Sequence, residues 1–162
     1  MDLRQAIVAN LSMSDFLVEA YLADLTPQEL LARPCPAANH IAWQLGHLIS
    51  SERWLVDKAA PGRVAALPAD FEEKHKKAAA TIDDPSAFLS KDEYRALAKK
   101  VRAQTLGVVE SLSPADFDRE ISGVPPFIKT AGEALLFIGG HWVMHAGQWA
   151  ITRRKLGRPP LF

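Results

Sequence analysis

Three histidines are the residues of this 162-residue chain whose types and spacing could do chemistry. His141 and His145 lie four residues apart in the run 134–151, which contains no Asp, Glu, Lys or Arg. Two residues at that spacing project from one face of a helix, so both imidazoles can reach one metal ion. His47 lies in an earlier apolar stretch and is the preferred third ligand. The spacing predicts a mononuclear three-histidine metal site, provided that the fold brings His47 to the other two.

Two polar residues are candidates for orienting groups around such an ion. Gln148 follows His145 by three residues and His141 by seven, on nearly the same helical face. Glu52 follows His47 on the earlier segment. Three neutral imidazoles leave at least one coordination position open, which is typical of a catalytic site. An ion there would lower the pKa of a bound thiol or water and so generate a nucleophile for a small electrophilic molecule.

The remaining histidines and the single cysteine are weaker candidates. His40 precedes His47 by two helical turns, roughly 10 Å at 1.5 Å per residue, so we expect it at a helix cap or a pocket rim. His75 lies among lysines and glutamates and is expected to be solvated. Cys35 has proline on both sides and no neighbouring acid, which disfavours a nucleophilic role. For the paired histidines, the alternative to a metal site is ordinary core packing with hydrogen bonds to backbone or water.

Two metal sites common in helical proteins are excluded by the sequence. A di-iron carboxylate site needs Glu-x-x-His on two core helices together with inward-facing glutamates. The only such match runs from Glu72 to His75, inside a charged segment. The zinc-protease motif His-Glu-x-x-His also fails, because Trp142 takes the place of the glutamate.

The composition restricts the class of binding partner and the cellular location that we expect. Lys plus Arg equals Asp plus Glu at 19 each. No net field therefore attracts nucleic acid or an anionic membrane, and a small-molecule substrate is the expected partner. The single cysteine allows no internal disulfide, and the N-terminus shows no apolar signal segment, so we expect a cytoplasmic protein. The uncharged run 134–151 contains histidines and glycines, which favours a buried central helix over a membrane span.

Apolar periodicity and capping residues predict four long helices. The first covers residues 2–24, and the second begins with Asn39 as its N-cap and ends near residue 60. The third opens at Ser90 and runs through residue 112, and the fourth runs from Thr130 to Gly157. Short capped turns follow the first and third helices, and residues 61–89 form a long excursion with one short helix. Four long helices without a strand predict an all-α four-helix bundle in a single domain, residues 1–162.

Two motifs of this chain resemble the DinB-like superfamily. The first is Trp-Gln-Leu-Gly-His-Leu at residues 43–48, followed by Glu52. The second is His-Trp-Val-Met-His-Ala-Gly-Gln at residues 141–148, which leads into Leu-Gly-Arg-Pro at 156–159. The resemblance spans almost the whole chain.

This resemblance implies a four-helix bundle of DinB-like type, often a homodimer, with one divalent metal ion per chain. The metal is typically zinc or nickel, and its three histidine ligands map onto His47, His141 and His145. Members with assigned activity include thiol transferases that use bacillithiol or mycothiol and a maleylpyruvate isomerase. The resemblance therefore also implies a low-molecular-weight thiol as co-substrate, although it identifies no motif for a particular substrate.

Two functions from different classes follow from these observations. One is a metal-dependent enzyme, a thiol transferase or hydrolase, that activates a thiol or water for transfer to a small electrophilic substrate. The other is a non-catalytic helical dimer that binds a metal or ligand for a structural or sensory purpose. A plain bundle whose histidines never meet is the third possibility.

Overall fold

Four long helices form the framework of the computed structural model, which describes residues 1–162. The α-helices in chain order are α1 (Leu3–Leu22), α2 (Ile41–Ala59), α3 (Phe71–Lys74), α4 (Lys91–Ser111), α5 (Pro114–Asp118) and α6 (Ala131–Lys155). Short 3-10 turns lie at Glu29–Leu31, Lys77–Ala79 and Pro85–Ala87. No strand forms, and the only β pairing is an isolated bridge between Glu120 and Thr130. The predicted all-α fold with four long helices is confirmed.

Capping boxes open four helices, three of them at the predicted residues Ser90, Ser113 and Thr130. In each capping box the cap side chain accepts the backbone N–H of the third helical residue, whose own side chain accepts the N–H of the cap. Boxes of this kind open α1, α4, α5 and α6 at Asp2, Ser90, Ser113 and Thr130. At the other end of α6, Gly157 has a φ of +74° and the N–H of Arg158 donates to the carbonyl of Arg153. That is a Schellman ending, which glycine favours because it has no Cβ.

Helix α2 begins one residue later than predicted, because His40 and not Asn39 is its N-cap. The imidazole Nδ1 of His40 accepts the N–H of Trp43 at 3.1 Å, as a serine or asparagine oxygen would. Its Nε2 lies 2.9 Å from the carbonyl oxygen of Ile82. Both nitrogens of His40 are therefore used within the fold, and the expected capping position is confirmed.

Helix α6 packs against both α1 and α2, and α2 also packs against α4. The inner face of α6 contributes buried side chains to the core, among them Ala134, Leu135, Ile138, Trp142 and Trp149. The uncharged run 134–151 therefore belongs to a helix that the rest of the bundle covers on its inner face. None of the helices combines the length and the apolar character needed to cross a membrane.

A polar network crosses the core and touches all four long helices. The carboxylate of Glu52 on α2 accepts two hydrogen bonds from the Arg102 guanidinium of α4, each 3.0 Å long. The hydroxyl of Thr105 and the indole N–H of Trp142 also donate to it, each at 2.7 Å. The same guanidinium donates to the hydroxyl of Ser14 on α1 at 3.2 Å. The four helices therefore share one buried ion pair whose polar atoms are satisfied.

The excursion at residues 61–89 is folded onto α2, and the prediction that His75 is solvated is wrong. The side chain of His75 is only 2% exposed. Its Nδ1 donates to the carbonyl oxygen of Phe71 at 2.7 Å, so its Nε2 accepts the hydroxyl proton of Tyr94 at 2.6 Å. Phe71, His75 and Ala79 are buried while the residues between them are exposed. The charged run therefore has an inner face that recurs every fourth residue, and the charges lie on the outer face.

Candidate metal centre

The fold brings the three predicted histidines together between α2 and α6. His47 lies on α2, His141 and His145 lie on α6, and one ring nitrogen from each falls within 4.8 Å of the others. The ring centroid of His47 is 5.2 Å from that of His141 and 5.5 Å from that of His145. The centroids of the two α6 rings are 5.0 Å apart. His145 is buried, and the other two are half-buried. The arrangement is compatible with a metal site that is open on one side.

Donor chemistry and spacing both fit a single divalent cation. At about 2.1 Å from a tetrahedral ion, ligand nitrogens lie about 3.4 Å apart. Ligand atoms that lie within 4.8 Å of one another would therefore need to approach by up to about 1.4 Å to bind such an ion. Three neutral nitrogen ligands suit zinc, nickel, copper and iron alike, so the donor set does not select one metal.

The imidazoles are held in the neutral form that binds metals. Burial lowers the pKa of His47 below its ordinary value. Burial, reinforced by the neighbouring imidazole of His47, lowers the pKa of His141 to about 4. Burial, together with His141 and His47, lowers the pKa of His145 to about 3. At neutral pH all three rings therefore carry a free nitrogen lone pair.

Gln44 determines which nitrogen of His145 is free. The amide oxygen of Gln44 accepts the indole N–H of Trp149 at 2.8 Å, and its amide nitrogen donates to the carbonyl of Asn39 at 2.7 Å. An indole can only donate and a carbonyl can only accept, so the orientation of the amide is settled. The Nδ1 of His145, 2.9 Å from the same amide oxygen, must then carry the proton. Its Nε2 is left with the lone pair for a metal, which is the arrangement typical of metal-binding histidines.

Sequence reasoning missed Gln44 because its partners are about a hundred positions away. The one available signal was a lone amide in an otherwise apolar run, three residues before His47. Gln148, which was predicted to orient groups at the site, is exposed, and its side chain makes no hydrogen bond within the chain. Glu52 is buried and its two oxygens accept hydrogen bonds from the core network, so it accepts none from the three histidines.

Aromatic rings flank the cluster on both sides. The ring of His47 is stacked on the indole of Trp43, with centroids 5.1 Å apart and planes within 3°. The ring of His141 is stacked on Phe137, with centroids 5.5 Å apart and planes within 20°. Phe127 packs on Phe137 at 5.2 Å and is 63% exposed. The surroundings of the cluster are therefore apolar and aromatic.

Two other sequence candidates lie outside the cluster. His40 caps α2 and uses both of its nitrogens for backbone contacts, so it is not available as a ligand. Cys35 is exposed and forms no disulfide. The structure adds no further group of histidine, cysteine and carboxylate side chains close enough to share an ion.

Comparisons with known proteins agree with this architecture. A family model described as the DinB superfamily matches residues 17–149. The crystal structure of a conserved protein from Enterococcus faecalis is similar, with a TM-score of 0.74 and 18% sequence identity, covering 98% of this chain and 99% of that one. Likeness at this identity establishes the fold alone. A comparison with curated protein sequences gives no match.

Proposed function

This chain belongs to the DinB superfamily, and we propose that it is a metal-dependent enzyme that activates a thiol or water for transfer to a small electrophilic substrate. The observation that carries the proposal is the convergence of His47, His141 and His145, whose ligand atoms lie within 4.8 Å of one another. The neutral state of the three rings supports it, as does the hydrogen bond from His145 to Gln44.

The residues of the chain would hold one divalent ion, with zinc or nickel as the proposed metals. A bound ion supplies Lewis-acid chemistry, which lowers the pKa of a thiol or water and favours the nucleophilic form near neutral pH. Gln44 holds His145 in the tautomer that presents Nε2. The aromatic faces of Trp43 and Phe137 exclude water from two sides of the cluster.

The surroundings of the cluster favour an uncharged substrate with an apolar or planar part. The run 134–151 of α6 carries no charged side chain, and the exposed ring of Phe127 extends the aromatic surface outwards from His141. We propose a low-molecular-weight thiol as the co-substrate, in line with the bacillithiol- and mycothiol-dependent transferases that the sequence resembles. The cluster alone does not distinguish a thiol from water, so hydrolysis is the second reaction to assay.

Metal content tests the proposal first. We expect the purified protein to carry about one divalent ion per chain, and we expect His141→Ala and His145→Ala to lose it, because each removes one of three ligands. Elemental analysis of the protein as isolated, with Cys35→Ser as the control at an exposed position outside the cluster, gives the answer. Equal metal content in all four proteins would overturn the proposed site. A screen of low-molecular-weight thiols against electrophilic acceptors then separates transfer from hydrolysis.

A non-catalytic metal- or ligand-binding role is the alternative, and one observation favours it. Neither of the two side chains predicted to orient groups at the cluster forms a hydrogen bond to it, since the carboxylate of Glu52 is committed to the core network and the amide of Gln148 is exposed. A structural metal contributes to folding stability directly, so chelation should then lower the melting temperature strongly. The enzyme proposal instead requires activity that disappears on chelation and returns with the metal.

We further propose a cytoplasmic homodimer. Leu136, Met144 and Ile151 are exposed on the outer face of α6, and Gly140 and Gly147 lie between them with open space around their α-carbons. Exposed apolar side chains grouped on one helix face are typical of protein–protein contacts. The chain has no net charge to oppose association of two copies. Light scattering of the purified protein measures its molar mass and tests this assignment.

A further inference from the structure

The ring of His47 has no hydrogen-bond partner to orient it, unlike the ring of His145. The aromatic rings beside it are those of the other two histidines and of Trp43, whose indole lies parallel to it with a centroid separation of 5.1 Å. Trp43 is one helical turn before His47 on α2 and is only 5% exposed. We propose that Trp43 is a positioning residue for His47, and that the segment 71–82 holds Trp43 in place. The inference rests on the proposed metal centre, because it concerns the orientation of one of its ligands.

The stack restricts the imidazole in a way that apolar contacts of other shapes would not. A planar ring pressed against a parallel plane can slide but cannot tilt without losing contact. The ring plane of His47 therefore follows the plane of the indole, which confines both ring nitrogens to that plane. A ligand whose direction is set before the metal arrives loses less conformational entropy on binding.

The indole in turn is held by a hydrogen bond to the segment 71–82. The Nε1–H of Trp43 donates to the backbone carbonyl of Lys76 at 3.2 Å. On one side of Lys76, His75 is buried and bonded to both Phe71 and Tyr94. At the end of the segment, the carbonyl oxygen of Ile82 lies 2.9 Å from Nε2 of His40. The carbonyl that receives the indole is therefore anchored on both sides.

Gly46 makes this arrangement possible. A Cβ at position 46 would lie 2.0 Å from the ring of His75, a separation at which two atoms cannot coexist. The imidazole of His75 therefore occupies the space that a side chain at position 46 would fill. Position 46 immediately precedes His47 in the sequence. We call the space beside Gly46 that the His75 ring fills the niche. On α2, Trp43 therefore contacts the segment, Gly46 borders the niche and His47 belongs to the candidate metal site. The segment contributes no ligand, yet it determines the orientation of one.

Substitution of Trp43 tests the positioning role. We expect Trp43→Ala to lower the affinity for Ni²⁺ by at least tenfold, and Trp43→Phe, which keeps an aromatic face but lacks the N–H, to lie between Trp43→Ala and the wild type. Trp54→Phe is the matched control, since Trp54 lies on the same helix and is partly exposed. Affinity is measured by competition with a chelator, and melting of the metal-free variants records any loss of stability. Wild-type affinity in a folded Trp43→Ala variant would overturn the proposal.

The orientation of the His47 ring is also measured without metal. In metal-free protein, the ring ¹H–¹³C NMR signals of His47 should be broadened or multiplied in Trp43→Ala and unchanged in Trp54→Phe. We expect His75→Ala, which frees the segment but retains the indole side chain of residue 43, to broaden the same signals. Unchanged signals in His75→Ala would overturn the role of the segment, and unchanged signals in Trp43→Ala would overturn the role of the indole. If the wild-type protein binds no metal, the proposed function fails while these signals still decide the positioning role.

Discussion

The residue that best explains the candidate centre is Gln44, which carries no charge and binds no metal itself. Its amide oxygen receives two donors at once, the indole of Trp149 and the imidazole of His145. Because this oxygen can only accept, His145 must be the tautomer that is protonated on Nδ1. Metal-binding histidines usually rely on a carboxylate or a backbone carbonyl for this purpose. A neutral amide accepts the proton of His145 here without adding a negative charge, so it would not neutralise a cation bound at the cluster.

Replacement of Gln44 by leucine should weaken metal binding. The change removes the acceptor of His145 and leaves the indole N–H of Trp149 buried without a partner, at a cost of about 1–3 kcal/mol. Partners of metal-binding histidines typically account for a factor of about 10–100 in metal affinity. Chelator competition and thermal melting measure the two effects. Gln148→Leu is the matched control, because that amide is exposed and unpaired, and a larger effect of Gln148→Leu than of Gln44→Leu would contradict this account.

The pKa values of the paired histidines predict a pH-dependent stability. The pKa is about 4 for His141 and about 3 for His145 in the folded protein, compared with 6.5 for both in an unfolded chain. Between pH 6.5 and those values the unfolded chain binds more protons than the folded protein, so acid favours unfolding and stability rises with pH. Stability is therefore complete above about pH 6.5 and is lost progressively as the pH falls towards 3.

Thermal melts of metal-free protein between pH 7 and pH 5 measure this dependence. We expect the melting temperature of the wild type to fall over that range, and we expect His145→Gln to flatten the fall because it removes one of the groups that only the unfolded chain protonates there. An identical pH dependence in the variant would assign the acid sensitivity to other groups. Bound metal should be released over the same acidic range, since protons compete for the same nitrogens.

At the scale of the elements, the segment 71–82 covers part of α2. An isolated helix with this sequence would expose Trp43 and the niche at Gly46. The segment covers both, with His75 filling the niche and Lys76 receiving the indole N–H. The segment is thus part of the packing around α2, in spite of the charges on its outer face. Long connections in compact domains are frequently functional, and this one adjoins the candidate centre.

Two glycine substitutions separate this packing from helix propensity. Gly46→Ala should destabilise the protein by about 1–3 kcal/mol, because the new methyl group displaces the buried ring of His75 and overpacks the site. Gly107→Ala, on α4, meets open space and should stabilise the protein by up to about 1 kcal/mol through its better helix propensity. Urea unfolding of both variants gives the comparison. Equal shifts in the same direction would show that the niche at Gly46 carries no steric constraint.

At the scale of the whole molecule, the pair formed by Glu52 and Arg102 connects the four long helices. The side chains of both are almost completely buried. Thr105 and Trp142 donate hydrogen bonds to the carboxylate, and the guanidinium donates one to the hydroxyl of Ser14. Buried pairs of this kind add little net stability relative to apolar packing, but they penalise any arrangement that separates the partners. Trp142 follows His141 in sequence, so the same network helps to set the register of α6 against α2.

Removal of Glu52 should therefore be costly. Glu52→Ala leaves the buried Arg102 guanidinium with only the half-exposed carboxylate of Asp15, 3.5 Å away, as a counter-charge. We therefore expect a loss of about 3 kcal/mol in the free energy of unfolding. Glu73→Ala is the control, because Glu73 pairs with Lys76 on the surface and an exposed pair contributes at most about 1 kcal/mol. Denaturant unfolding of the two variants provides the measurement. Similar losses in both would mean that burial of the Glu52 pair has no energetic consequence.

The sequence by itself determined the helical architecture and the identity of the three histidines. Capping boxes at Ser90, Ser113 and Thr130 and the ending at Gly157 depend on residues at most a few positions apart, so they are readable directly. The spacing of His141 and His145 is equally local, since a helix places such residues on one face. The N-cap of α2 was wrong by one residue, because a buried histidine took the role that asparagine usually plays.

Only the tertiary structure decided what surrounds the histidines. The contact between Gln44 and His145 joins residues 101 positions apart, and the burial of His75 depends on a niche in another helix. Glu52 was a candidate for the site until its carboxylate was seen to face Arg102. Local patterns record which face of an element is apolar, but not which partner that face meets. The partner of a buried face depends on which distant segments fit the same space and satisfy the same hydrogen-bonding groups. Those contacts exist only once the whole chain has packed.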